Sequence, residues 1–172
     1  IPVTLLSTPL CIDPKGNETL TQTKTEPTNP LYSLDKQQSS LVYYDKNTIV
    51  LTMPYWVKVT NSSVEDSEVK KHSFVLSYDP EAMTASDTKL KLYISHVVED
   101  AGETVTRSNF TYAYRAYSIR AALAAFKEKT GKLPKYLELT AEINNSKDEL
   151  VDKDGKETSV ERSVEYDYAF TE

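Results

Sequence analysis

The clearest feature of the chain is a run of segments in which apolar and polar residues alternate with period two. "TKLKLYISHVVED" (88–100) sets Leu90, Leu92 and Ile94 against Lys89, Lys91 and Tyr93. "HSFVLSYDP" (72–80) alternates Phe74, Leu76 and Tyr78, and "KYLELTAEIN" (135–144) alternates Leu137, Leu139 and Ala141. This is the signature of strands with one buried face. "LVYYDKNTIVLTMPYWVKVT" (41–60) predicts two strands joined by a hairpin turn at Asp45-Lys46-Asn47. "TVTRSNFTYAYRAY" (104–117) continues the pattern with Val105, Phe110, Tyr112 and Tyr114 as its apolar set. "TSVERSVEYDYAF" (158–170) supplies a last strand.

One segment departs from period two. In "AYSIRAALAAFKEKTGKLPKYLEL" (116–139), Ile119, Leu123 and Phe126 recur at helical spacing. Ser118 is the expected N-cap, Gly131 suits the left-handed position after the last turn, and Pro134 forbids continuation. A helix is therefore predicted over about 118–130, its stripe closing one end of the strand layers. Residues 1–40 hold Pro9, Pro14, Pro27 and Pro30 and read as an irregular arm, with a short strand at Ile1–Leu6. Together these give a mostly β protein: an antiparallel two-layer β-sandwich over 41–172 with one short crossover helix, preceded by the arm 1–40. Antiparallel order is expected because parallel pairs need crossovers and one helix is predicted.

The net charge of −6 argues against nucleic acid, since no cluster of Lys and Arg is available to neutralise phosphates. No apolar run reaches the ~20 residues that cross a bilayer. Cys11 is the single cysteine, so neither an internal disulfide nor a cysteine zinc site can form. The chain begins at Ile1 rather than Met, read as a processed or trimmed start. With four glycines in all, phosphate-cradling loops are excluded.

His72 and His96 share no metal-ligand spacing and read as sheet histidines. "VDKDGKETSVE" (151–161) has the outline of a calcium loop, with Asp152, Asp154 and Glu161 at ligand positions, but Leu150 stands where the first carboxylate is needed. A tight turn at Asp154-Gly155 accounts for it, and no metal or cofactor is expected. The pattern N-x-S/T recurs at Asn17, Asn61, Asn109 and Asn144. Twelve tyrosines suit half-buried sheets and also the anchors of binding surfaces. Pro54 marks an edge or bulge in its strand, which would leave Tyr55 and Trp56 as a partner contact; a core position for Trp56 is the alternative.

The run "HSFVLSYDPE…KLKLYISHVVED…AYRAYSIRAALAAF…GKLPKYLELTAEIN" resembles the C-terminal β-sandwich domain of NigD-like proteins, surface or periplasmic lipoproteins of Bacteroidetes. The resemblance spans roughly 41–170 and implies a cell-envelope location. Family members begin at a lipidated cysteine; Cys11 follows "STPL", a poor lipobox, so the anchor is expected upstream. The family places a small barrel-like domain ahead of the sandwich, which the 40-residue arm would lack, truncate or replace. It has no assigned activity, so no catalytic residue carries over. The expectation is a non-enzymatic envelope protein that binds a protein or a glycan, with membrane contact only through a lipid. A carboxylate-dependent glycan hydrolase and a host-facing secreted glycoprotein are the alternatives.

Overall fold

The computed structural model describes residues 20–21, 24–146 and 159–170. The elements are β1 (Leu20–Thr21), β2 (Ser40–Asp45), β3 (Thr48–Val57), α1 (Asp66–Val69), β4 (His72–Ser77), β5 (Lys89–Val98), β6 (Asn109–Ser118), α2 (Arg120–Thr130), β7 (Tyr136–Ile143) and β8 (Val160–Asp167). They form two sheets, a five-stranded one in the order β1-β4-β5-β7-β8 and a three-stranded one in the order β2-β3-β6. This is the mostly β, two-layer sandwich that the alternation predicts. The strand at Ile1–Leu6 and the loop at 151–158 lie outside the described residues.

The core lies between the layers. Phe74, Leu76, Leu90, Leu92, Ile94, Leu137 and Leu139 face inward from the larger sheet; Ile49, Leu51, Met53, Tyr55 and Val57 face inward from β3. Ile119, Ala122, Leu123 and Phe126 bring the helical stripe into the same cluster. Gly131 ends α2 at φ 75°, a left-handed conformation free of strain only for a residue without a Cβ, and its N–H bonds the Lys127 carbonyl. At the other end Ile119, not Ser118, is the N-cap, and no side chain caps the helix. Ser118 is still in β6, paired with Thr48, and the Ile119 N–H goes to the Asn47 carbonyl.

The antiparallel expectation fails at two strand pairs. β5 and β7 are parallel, and so are β1 and β4. After β5 the chain crosses to the smaller sheet as β6 and returns through α2, so a single helix suffices to bring β7 alongside β5 in the same direction.

Residues 28–34 of the arm are woven into the sandwich. Leu31, with no exposed surface, bridges β3 at Tyr55 and β7 at Ile143. Its N–H donates to the Glu142 carbonyl at 2.9 Å, its own carbonyl accepts from Asn144 at 2.8 Å, and Tyr32 N–H donates to the Pro54 carbonyl at 3.0 Å. This also explains Pro54. β2 pairs with β3 only as far as Thr52. Beyond that point β3 has a local edge, and the Pro54 backbone faces the arm rather than β6.

Leu31→Ala and Phe126→Ala are each expected to cost about 2–5 kcal/mol in urea unfolding, through loss of buried side chain and the cavity left behind. Exposed Arg120→Ala should stay within about 0.5 kcal/mol. Equal effects from all three would contradict the placement of the core.

Candidate functional site

Two features stand out from an ordinary sandwich: a largely uncharged outer face, and a buried polar cluster beneath one end of it. The outer face belongs to the three-stranded sheet. The register pairs Ser40 with Thr52, Val42 with Val50, Thr52 with Tyr114, Pro54 with Tyr112 and Val50 with Ala116. All these side chains lie in one phase of the pleat, confirmed by the 2.9 Å bond from Ser40 Oγ to Thr52 Oγ1. None is charged, in a chain whose residues are 27% charged; the acid in the same phase is Asp45, paired with Thr48 at the bulge that ends β2. Tyr44 is 74% exposed, Val42 57%, Tyr114 58%, Tyr112 41% and Phe110 39%.

The alternation in β6 was legible, but its side was not. Phe110, Tyr112 and Tyr114 point outward, Ala113 and Tyr117 are buried on the inner side, and Ala116 is buried although it shares the outer phase. At one end the face is covered. Tyr32 stacks on Phe110, with centroids 4.1 Å apart, and meets Trp56 edge-on at 5.0 Å. Trp56 is therefore only 4% exposed, and its Nε1–H donates to the Asn144 carbonyl at 2.7 Å. Tyr55, on the opposite side of the strand, is 2% exposed. Neither residue presents a surface: the arm fills the edge that Pro54 leaves, and the exposed aromatics of this sheet are instead Tyr44, Phe110, Tyr112 and Tyr114.

The buried cluster gathers residues that the sequence left apart. His72 on β4 and His96 on β5 are register neighbours of Val98 and Phe74, and their rings stack with centroids 5.1 Å apart. The reading of two unrelated sheet histidines is thus corrected: antiparallel pairing puts them 2.9 Å apart, His72 Nδ1 to His96 Nε2. His96 Nδ1 lies 3.1 Å from the Pro30 carbonyl, and His72 Nε2 lies 3.1 Å from Glu68 Oε1. Glu68 Oε1 also accepts from Lys58 N–H at 2.9 Å and from Arg107 Nε at 2.7 Å. Arg107 makes a fork with both oxygens of Asp100, at 2.7 Å each. Lys71 Nζ approaches Asp100 at 3.5 Å from the rim. Tyr55 covers the pair, its ring 4.8 Å from His72 and 5.7 Å from His96. Among the described residues no group of three or more His, Cys, Asp or Glu could hold a metal ion.

Sequence reasoning missed Arg107, Glu68 and Asp100. Arg107 stands alone in a loop and gives no signal. Glu68 and His72 are four apart, but α1 is a single turn too short to show a helical period.

The electrostatics follow from burial and pairing. Burial opposes charge on Glu68, but Arg107, the Lys58 N–H and His72 outweigh it and hold the carboxyl below its ordinary range. Arg107 also holds Asp100 low. Burial opposes charge on Arg107 too, yet its bonds to Asp100 and Glu68 keep the guanidinium more firmly protonated than usual. Burial pulls His72 below the ordinary histidine value, with Glu68 working against it. Burial and the neighbouring His72 bring His96 down to about 3.

No protein-family model matches the chain, and neither does any curated protein sequence. Among solved structures, the fold is similar to an inferred lipoprotein of Bacteroides fragilis, with 25% identity and a TM-score of 0.71, over 89% of this chain and 70% of that one. It also matches an uncharacterized protein of Parabacteroides merdae at 12% identity and a TM-score of 0.49, over 88% of this chain and 66% of that one. No helix among the described residues is long and apolar enough to cross a membrane. The first similarity is compatible with a cell-envelope protein of unassigned activity from this bacterial group.

All four shifts with carboxyl or imidazole groups have the same sign. Each folded value lies below the unfolded one, so each group contributes stability at higher pH that is lost as pH falls through the folded value. The urea midpoint is expected to be level above about pH 7 and to fall from about pH 6.5, the free-histidine value, down toward the carboxylate range. Arg107→Met should destabilise by about 3–5 kcal/mol at neutral pH, because it leaves two paired carboxylates without their partner. A midpoint that rises on acidification would contradict this account.

Proposed function

We propose that the protein is a non-enzymatic cell-envelope module of the NigD-like kind whose largely uncharged three-strand face docks another protein. The observation that carries the reading is the row of exposed aromatics on β6, extended by Val42 of β2 across paired positions that carry no charge, with Tyr44 and Asp45 at the bulge that ends β2. Outward residues on a strand repeat every ~6.8 Å, so the three rings span about 14 Å. Tyrosine and phenylalanine without lysine or glutamate is the composition of a protein-interface core.

The rings favour a protein over a glycan. Phe110 and Tyr112 meet at 81°, edge to face, so they do not form the flat platform on which sugar rings stack. The buried cluster supports a non-catalytic reading. Glu68, His72, His96 and Arg107 are all at most 6% exposed, and their polar atoms point at one another rather than into a cleft. The similarity to an inferred lipoprotein supports an envelope location. Asn61 and Asn109 are exposed while Asn144 is buried, so glycosylation at all the described sequons does not fit this fold.

Site-specific photo-crosslinking in native envelope fractions tests the reading. A benzophenone side chain at Tyr114 should yield a discrete protein adduct, and one at Arg120 on α2 should not. Tyr112→Asp should reduce the Tyr114 adduct at least about ten-fold, since a carboxylate is costly in an apolar contact. No adduct at Tyr114, or the same adducts at both positions, would sink the proposal.

A further inference from the structure

Three contacts run in series through the buried cluster: Pro30 carbonyl to His96 Nδ1, His96 Nε2 to His72 Nδ1, and His72 Nε2 to Glu68 Oε1. Each needs one N–H. Both ends of the series are acceptors only, a carbonyl and an ionised carboxylate. Two neutral imidazoles carry two such protons between them. With both rings neutral, one of the three contacts stays open; a third proton closes all of them.

Charge decides which contact is open. A hydrogen bond to a carboxylate is stronger than one to a neutral carbonyl. In the two-proton form His72 therefore donates through Nε2 to Glu68, and its bare Nδ1 accepts from His96 Nε2. That leaves His96 Nδ1 without a proton, facing the Pro30 carbonyl. The open contact is the side-chain tie from β5 to the Pro30 carbonyl of the arm.

We propose that the histidine pair is a proton-operated latch on residues 28–30 of the arm, open in the two-proton form and closed when a third proton enters. The proton binds His96 Nδ1 and closes the bond to Pro30. His96 then passes its Nε2 proton to His72 Nδ1, so the positive charge settles on His72 beside Glu68. One proton enters from solvent and none leaves; His96 changes tautomer, the bond between the two rings reverses direction, and His72 keeps its bond to Glu68. The charge then balances: Glu68 and Asp100 are negative, Arg107 and His72 positive. Lys71 stands at the rim beyond Asp100. The Tyr55 and Phe74 rings flank the pair, and Arg115, over the Phe74 ring at 5.3 Å, is the charged group contributed by β6. The latched segment has other ties to β5 on either side of this point: the Val98 N–H donates to Thr28 Oγ1 at 2.7 Å, and Ser95 Oγ donates to the Thr25 carbonyl. Thr28 and Asn29 both direct their N–H groups at the single His96 carbonyl, at 3.0 and 3.4 Å.

The latch is independent of any docking partner, and its test uses the chain alone. Imidazole 15N spectra of the intact protein are recorded from about pH 7.5 to 4.5, below the free-histidine value because burial lowers both rings. At the upper pH His96 should carry its proton on Nε2. At the lower pH His96 should be neutral with its proton on Nδ1, and His72 should carry both. His72→Phe keeps a ring in the stack but removes the acceptor for Nε2–H, so His96 should hold the Nδ1 proton at every pH. A wild-type His96 already protonated on Nδ1 at pH 7.5 would overturn the latch. So would an imidazolium on His96, an unchanged pair down to pH 4.5, or unfolding before any proton is taken up. If His72→Phe does not fold, the wild-type spectra decide alone.

Discussion

The sandwich depends on a segment that is neither strand nor helix. Two sheets of unequal size must be held in one register, and no hairpin links β3 to β7. Leu31 does so, with backbone bonds to one sheet, its neighbour Tyr32 bonded to the other, and its side chain in the core. An irregular segment can be buried only if its polar backbone is satisfied. Here that requirement is what binds the layers: the donors and acceptors of residues 28–32 are spent on Glu142, Asn144, Pro54 and His96. Proline at positions 27 and 30 suits the role, since it fixes the backbone in extended form and leaves fewer N–H groups to place.

The same segment sets the character of the outer face. By seating Tyr32 over Phe110 and Trp56, it covers one end of the three-stranded sheet and leaves Tyr44, Tyr112 and Tyr114 uncovered at the other. Most of the charge behind the protein's net −6 is carried elsewhere, and Asp45 stands at the end of this face, away from Tyr112 and Tyr114 in the register. Single exposed apolar residues are ordinary in soluble proteins, whereas a contiguous row rimmed by polar residues is the pattern of a binding surface.

How much of this was legible in the sequence differs by kind of signal. Period-two alternation located the strands, and the agreement of stripe, Gly131 and Pro134 located α2, because these are local properties of the chain. Alternation gives the phase of a strand and not its side, which is why the apolar set of β6 was placed in the core when the structure turns it outward. Ala113 and Tyr117 occupy the inside, beside Met53 and Ile49 of β3, and the Tyr117 hydroxyl donates across the core to the Phe74 carbonyl at 2.7 Å. Pro54 announced an edge correctly in kind, but the arm that closes that edge gave no periodic signal, so the sequence left both an exposed contact and a core position open for Trp56, and the fold takes the core position. The histidine pair was illegible for a different reason. Their 24-residue separation becomes 2.9 Å through strand register alone, and register is a property of two strands together.

The buried charges make sense by position more than by energy. A buried ion pair adds little net stability, because desolvation offsets most of the attraction. Glu68, however, accepts from Lys58 N–H, one residue past the end of β3, and from Arg107, two residues before the start of β6. Val57 and Asn109 pair at that same end of the ladder. One carboxylate thus fixes where β3 stops and where β6 begins, and the fork from Arg107 to Asp100 ties the junction to the end of β5. A register slip of one residue in β6 would turn Tyr112 and Tyr114 into the core and bring Ala113 and Arg115 out. Apolar packing alone opposes that slip weakly here, since the inward set of β6 is small and its outward set is large. Charged groups that can be satisfied in one register only oppose it strongly, and this is the physical reason for the Glu68, Arg107 and Asp100 cluster to sit beneath the strand that carries the aromatic face.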